Sequence, residues 1–179
     1  MKNTRVSMAQ DEEPRVHLSE LLAKFDTAML VTRTADGRLR ARPLSFAGEL
    51  QGRLYFSTSA DSPKVAELQS EPRVAITMQD SVRYVSVSGL AEIREDRGLV
   101  ERLWRESWRV WFPGGKSDPT LRILSVEPQA AEYWDQSGAR GLKHLAEMVK
   151  AYATGTKPES GASSDNVKVP IDKAPRGRS

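Results

Sequence analysis

The stretch 84–93, YVSVSGLAEI, constrains the fold more than any other part of this sequence. Val85, Val87, Gly89, Ala91 and Ile93 fall on one side of an extended chain, and Tyr84, Ser86, Ser88 and Glu92 give the other a mostly polar character. A period of two sets one face against a core and the other toward water, which describes a half-buried antiparallel strand. Shorter runs at 28–34, 38–46, from Leu54, at 74–79, at 121–126 and at 130–134 also read as strands, the last two interrupted by Pro128. Asp36-Gly37 between two of these runs is a strong hairpin signal, because glycine accepts the positive φ of a tight turn. Residues 48–52 supply another turn.

Helical spacing is confined to a few places. Leu18, Leu21, Leu22 and Phe25 mark one short amphipathic helix. A second opens at Pro63, with Val65 and Leu68 on one side, and a third follows Asp96 with Leu99, Val100, Leu103 and Trp104 on its inner side. A last helix is predicted over 142–152. Many short strands, hairpin turns, one early crossover helix and peripheral helices predict a mainly β fold, a six- to seven-stranded antiparallel barrel. At 179 residues one core is expected. The boundaries predicted are a flexible polar arm at 1–14, one domain with a C-terminal helix at 15–153, and a disordered tail at 154–179.

Composition removes several chemistries. Without cysteine there is no disulfide, thiolate catalysis or iron–sulfur ligation by Cys. The two histidines, His17 and His144, lie far apart, so no metal site is expected. The sequence shows no apolar run of membrane-spanning length and no signal-peptide pattern at its start, so the cytoplasm is the expected location. A net charge of +3 falls short of the dense basic stripe of a dedicated nucleic-acid binder.

The segment 54–78, LYFSTSADSPKVAELQSEPRVAITM, carries the clearest chemical signal. A strand runs into the hydroxyl-rich turn of Ser57, Thr58, Ser59 and Ser62, and a helix opens at Pro63 with Lys64 in its first turn. The first N–H groups of a helix lack intrahelical partners and carry the positive end of its dipole, so hydroxyls and a lysine beside them can seat a phosphate. The plain alternative is that Ser62 caps the helix and Lys64 is solvated. Arg42 lies on a strand expected beside this turn, and arginine grips phosphate through two parallel N–H bonds. Pro43 cannot donate to a sheet ladder, so its strand is locally an edge or leaves its backbone to a ligand. An exposed basic edge that guards against aggregation is the competing account.

Of the aromatic cluster, Trp104 is expected in the core, whereas Trp108, Trp111 and Phe112 lie at a helix end and in a Gly/Pro loop, where they suit a flat ligand or a subunit interface. Trp134 could serve either role. Serines have neither the Gly-x-Ser-x-Gly setting nor a histidine partner recognisable in the sequence, so chemistry would fall to a cofactor.

Together, the segments 32–46 (TRTADGRLRARPLSF), 54–78, 84–93, 111–119 (WFPGGKSDP) and 131–135 (AEYWD) resemble the pyridoxamine 5′-phosphate oxidase-like FMN-binding split β-barrel family, in particular its general stress protein 26 branch. The resemblance implies a flavin, FMN with FAD or a deazaflavin as variants, held at a homodimer interface. It assigns phosphate contacts to Arg42 and Lys64, the flavin ring edge to Pro43, Leu44 and Ser45, and the strand-end hydroxyls to Ser57 and Thr58, with Ser62 beside them. It further implies that Trp111, Phe112, Pro113 and Trp134 approach the flavin from the partner subunit. The oxidases proper carry an Arg-Leu-His-Asp-type motif after the late tryptophan. Here Asp135, Gln136, Ser137 and Gly138 follow, so the resemblance implies a flavin binder and not vitamin B6 oxidation. A flavin- or deazaflavin-dependent reductase, and a small barrel binding single-stranded nucleic acid, are the alternative functions.

Overall fold

The computed structural model describes residues 3–137, 150, 154 and 166–171, with side chains from residue 12 onward. Six antiparallel strands close a barrel: β1 (Thr27–Arg33), β2 (Leu39–Leu50), β3 (Arg53–Ser59), β4 (Arg73–Gln79), β5 (Arg83–Arg94) and β6 (Leu121–Asp135). Their order is β3-β2-β1-β4-β5-β6, and β3 pairs back onto β6. A further strand, β7 (Asn166–Val169), extends β6 beyond the point where β3 leaves it. Among the described residues three α-helices flank the barrel: α1 (Asn3–Leu22), α2 (Pro63–Ser70) and α3 (Arg97–Leu103).

The turns form where the local signals put them. Thr34 N donates to Arg38 O at 2.8 Å across Asp36-Gly37, with Gly37 at φ 85°. Gln51 and Gly52, at φ 53° and 75°, close the β2–β3 hairpin as two successive left-handed residues, the geometry that matches strand twist. Gly48 lies at a register shift in β2, so the turn proper is shorter than the 48–52 expected.

Several sequence expectations differ from the structure. Helix α1 reaches back to Asn3, into the segment expected as a loose arm. Part of the expected tail pairs as β7, with Ala131 opposite Val169 and Trp134 opposite Asn166. Proline 128 does not break β6, because that edge of β6 meets β3 only up to Val126 and β7 only from Ala131, so the missing N–H costs no ladder bond there. Trp108 is fully buried rather than free for a ligand. The helix expected at 142–152 lies outside the described residues apart from position 150.

Residues of alternate parity, among them Leu30, Phe46, Leu54, Phe56, Ile76, Met78, Val87 and Leu124, fill the barrel. Leu18, Leu21, Leu22 and Phe25 cover the end where β1 begins, and Leu68 of α2 joins the core from the other. A second cluster lies outside β3 and β6, where Tyr55, Leu121 and Ile123 pack beneath Val100, Leu103, Trp108 and Phe112. Strand β3 is therefore buried on both faces, which fixes where its hydroxyl-rich end points.

Gly89 is the tightest backbone position. Opposite Pro128 in the β5–β6 bulge, a Cβ on residue 89 would stand 2.3 Å from the Glu127 carbonyl oxygen. Gly89→Ala is expected to cost about 3 kcal/mol, because backbone and not a flexible side chain must move. Thermal denaturation should show a Tm lower by roughly 8 °C.

Candidate functional site

Strand β3 pairs with β2 only as far as Phe56 opposite Phe46, after which the two diverge. The 39–45 stretch of β2 therefore has β1 on one edge and, among the described residues, no strand on the other, as the proline at 43 suggested. Helix α2 lies beside that divergence, and four elements meet there.

Thr32, on the inward face of β1 with Ala28 and Leu30, is 1% exposed. Its hydroxyl donates to Glu67 Oε2 at 2.6 Å and accepts from Arg42 Nη2 at 2.5 Å. Arg42 Nη2 also reaches Glu67 Oε2 at 2.5 Å, and Arg40 Nη1 holds Glu67 Oε1 at 3.0 Å. The Lys64 ammonium donates to Thr58 Oγ1 at 3.0 Å and Ser62 Oγ at 2.6 Å. These bonds tie β1, β2, β3 and α2 at one end of the barrel.

This geometry decides against the plain cap reading of Ser62. Its side chain makes no capping bond to α2 and instead accepts a hydrogen bond from the Lys64 ammonium. Nor is Lys64 merely solvated: burial, and then the charge of Arg42, hold its pKa below the ordinary 10.5. Burial pushes Glu67 up, but the Thr32 hydroxyl and the Arg42 guanidinium outweigh it and leave the carboxyl below its usual range. Three cations thus face one carboxylate.

The decisive atom is Arg42 Nε. Among the described residues it is a buried donor with no partner. Leaving a buried donor unpaired costs about 1–3 kcal/mol, more for a charged group, so such atoms call for an explanation. An anion beside Arg42 and Lys64 supplies one. It would satisfy Nε, relieve the repulsion on Lys64, and balance the excess positive charge. A phosphate monoester, with about −1.5 to −2 charges and three acceptor oxygens, fits that donor set.

The remaining sequence candidates are distributed as follows. Ser57 and Thr58 are buried at the end of β3. Pro43 is exposed on the outer face of β2, Leu44 is buried in the core, and Ser45 Oγ accepts from Trp108 Nε1 at 3.1 Å. Phe112 packs in the second cluster at 4% exposure, and Pro113 is exposed. Trp111, by contrast, is 75% exposed next to Val110 at 77%. The loop after it is built around Asp118, whose carboxylate accepts from Gly114 N, Thr120 N and Thr120 Oγ1. Trp134 lies on the far part of β6, opposite Tyr84. Through Tyr84 and Gln79 the sheet register places Trp134 toward the start of β1, whereas Thr32 stands near that strand's end, so the clamp and Trp134 sit toward opposite ends of the sheet. One chain does not bring them together.

Sequence reasoning missed Thr32 and Glu67. A signal existed for each: Thr32 is a hydroxyl at an inward position of an apolar strand, and Glu67 stands one helical turn after Lys64. A cavity of about 880 Å³ opens elsewhere, at the seam between β3 and β7. Leu18, Leu54, Val87 and Ile171 are among its lining residues, and it shares none with the clamp. An anion seat needs directed N–H groups rather than a large void, and such donors are found at the clamp.

A closed six-stranded antiparallel barrel carries a doubly basic, hydroxyl-lined clamp at one end. The chain belongs to the pyridoxamine 5′-phosphate oxidase-like family, whose model matches residues 13–159. It is 33% identical over 81 residues to general stress protein 26 of Bacillus subtilis, covering 42% of this chain and 57% of that protein. The chain spans about six tenths of the length of the curated relatives it matches. Among solved structures, the general stress FMN/FAD binding protein of Xanthomonas citri is 29% identical, with a TM-score of 0.59 over 69% of this chain and 89% of that one. A general stress protein 26 homologue from Jannaschia shares the fold at a TM-score of 0.71 and 23% identity, over 89% of this chain and 99% of that one. No helix of the described residues is long and apolar enough to cross a membrane.

The lowered Lys64 pKa has a measurable consequence. The native state binds fewer protons than the unfolded chain between the folded pKa and 10.5, so this group's contribution to stability rises with pH in that window. Without a ligand, wild type should gain stability relative to Lys64→Met as pH climbs toward 10.5, as measured by urea denaturation. A difference that shrinks over that range would contradict the half-buried, repelled ammonium.

Proposed function

We propose that this chain is a flavin mononucleotide-binding protein in which the clamp of Arg42, Lys64, Thr58 and Ser62 holds the flavin's phosphate and a second copy of the chain completes the site. The observation that carries the reading is the buried Arg42 Nε, without a partner among the described residues, near a half-buried Lys64. The flavin-binding relative from Xanthomonas citri supports it.

Homodimer formation has its own physical support. The outward positions of β2, β1, β4 and β5 align Pro43, Met29, Thr77 and Ser86 in one row, and Ala41, Val31, Ala75 and Ser88 in the next. Small and apolar side chains on a sheet face exposed among the described residues allow close approach of a flat partner surface. Met29 and Tyr84 are 39% exposed there. The separation of Trp134 from the clamp within one chain, and the outward Trp111, also suit ring contacts made from the second copy.

When bound, the flavin supplies electron-transfer chemistry through its ring. The chain's own residues bind and orient. Arg42 and Lys64 neutralise the phosphate, Thr58 and Ser62 direct the Lys64 ammonium, and Ser45, tied to Trp108, keeps β2 in register beside the proposed ring site.

Titration with FMN, followed by blue absorbance and fluorescence, tests the reading. Wild type should bind FMN more tightly than riboflavin, which lacks the phosphate. Lys64→Met removes a repelled charge and so should stay folded, yet it should lower FMN affinity at least about tenfold. Ala41→Glu, at an exposed position on the proposed dimer face, should yield a folded monomer by sedimentation and weaken FMN binding as well. No binding by wild type, or equal affinity for FMN and riboflavin, would contradict the proposal.

A further inference from the structure

We infer that Glu67 is a positioning residue for phosphate recognition: a built-in counter-anion that holds Arg42 and Arg40 in their binding orientation while leaving Arg42 Nε to the ligand. This rests on the phosphate reading of the clamp and adds a residue to it.

The hydrogen bonds around Glu67 form a directed ring. Arg42 Nη2 donates to Thr32 Oγ1 and to Glu67 Oε2, and the single Thr32 hydroxyl proton goes on to the same carboxylate oxygen. The other oxygen, Oε1, is taken by Arg40. Both carboxylate oxygens are therefore engaged, and the side chain is only 10% exposed. A group so enclosed lies behind the guanidinium, supporting it, and does not compete for the ligand's place.

The ring also leaves one buried guanidinium donor to the ligand. Nη2 has two acceptors, whereas the neighbouring Nε has none among the described residues. A planar guanidinium fixed at Nη2 cannot rotate its Nε away, so this donor stays aimed in one direction whether or not an anion is present. Without Glu67, Arg40, Arg42 and Lys64 would meet with no opposing charge and would splay toward water. Glu67 makes their convergence tolerable before the ligand arrives, which is preorganisation in the physical sense: the ordering is done in advance of binding.

The chemistry that results is selectivity for a phosphate monoester end. Three cations less one carboxylate leave two positive charges, the complement of a dianionic terminal phosphate. A ligand with the same ring system and no phosphate gains nothing from the arrangement.

The test compares FMN and riboflavin binding in wild type, Glu67→Gln and Thr32→Val, with folding monitored by circular dichroism and thermal denaturation. Glu67→Gln keeps the shape and an acceptor but removes the counter-charge. It should weaken FMN about tenfold or more while riboflavin changes by less than about threefold. Thr32→Val breaks the ring at one bond, keeps the charge, and should shift the FMN-to-riboflavin ratio the same way by a smaller factor. If Glu67→Gln fails to fold, the Thr32→Val ratio decides. Parallel weakening of both ligands would show that Glu67 only pins α2, and tighter FMN binding would show that it competes with the phosphate. Either result, or an unchanged ratio, overturns the inference while leaving the phosphate reading in place. Wild type that binds no FMN overturns both.

Discussion

The hydrogen-bonded ring of Thr32, Glu67 and Arg42 is the contact on which the rest of the site depends. It joins β1, α2 and β2 in one low-exposure network, and Lys64 extends the connection to the end of β3 through Thr58. Such networks carry high stakes, because a buried polar group with a partner removed costs far more than the bond contributes net. The barrel is what makes the ring possible: β3 must diverge from β2 after Phe56 for α2 to reach the strand edge that Arg42 occupies.

Divergence there requires that β3 be held from elsewhere. It is held by β6, over six paired positions from Leu54 opposite Val126 to Ser59 opposite Leu121, and by the second hydrophobic cluster. Trp108 and Phe112 thus contribute to the site from a distance, by packing over Tyr55 and Ile123 so that the hydroxyl-rich end of β3 keeps its direction. Trp111, one turn away on the same segment, is left outside and available.

Local chemistry in the sequence announced much of this. The Asp36-Gly37 hairpin, the alternation of 84–93, and the Ser/Thr-rich turn before Pro63 are short-range signals, and each appears where the residues alone placed it. What escaped notice depends on partners distant in sequence. Thr32 and Glu67 stand 35 residues apart and have meaning only once β1 and α2 meet. β7 is four polar-to-apolar residues whose pairing is supplied by β6. Pro128 reads as a strand breaker in isolation, yet it occupies a stretch of edge that neither β3 nor β7 pairs. Trp108 and Phe112 looked exposed because a Gly/Pro loop follows them, but tertiary packing buries both.

On the proposed reading, Arg42 and Lys64 hold a phosphate dianion. Phosphorus NMR of FMN bound to the wild-type protein addresses it directly, since a free monoester phosphate changes protonation near pH 6. A resonance displaced from that of free FMN, broadened by the protein's tumbling, and constant in shift from about pH 8 down through that pKa would mean the clamp keeps the dianion. A sharp signal that titrates as free FMN does, with the flavin ring nonetheless bound, would contradict the account.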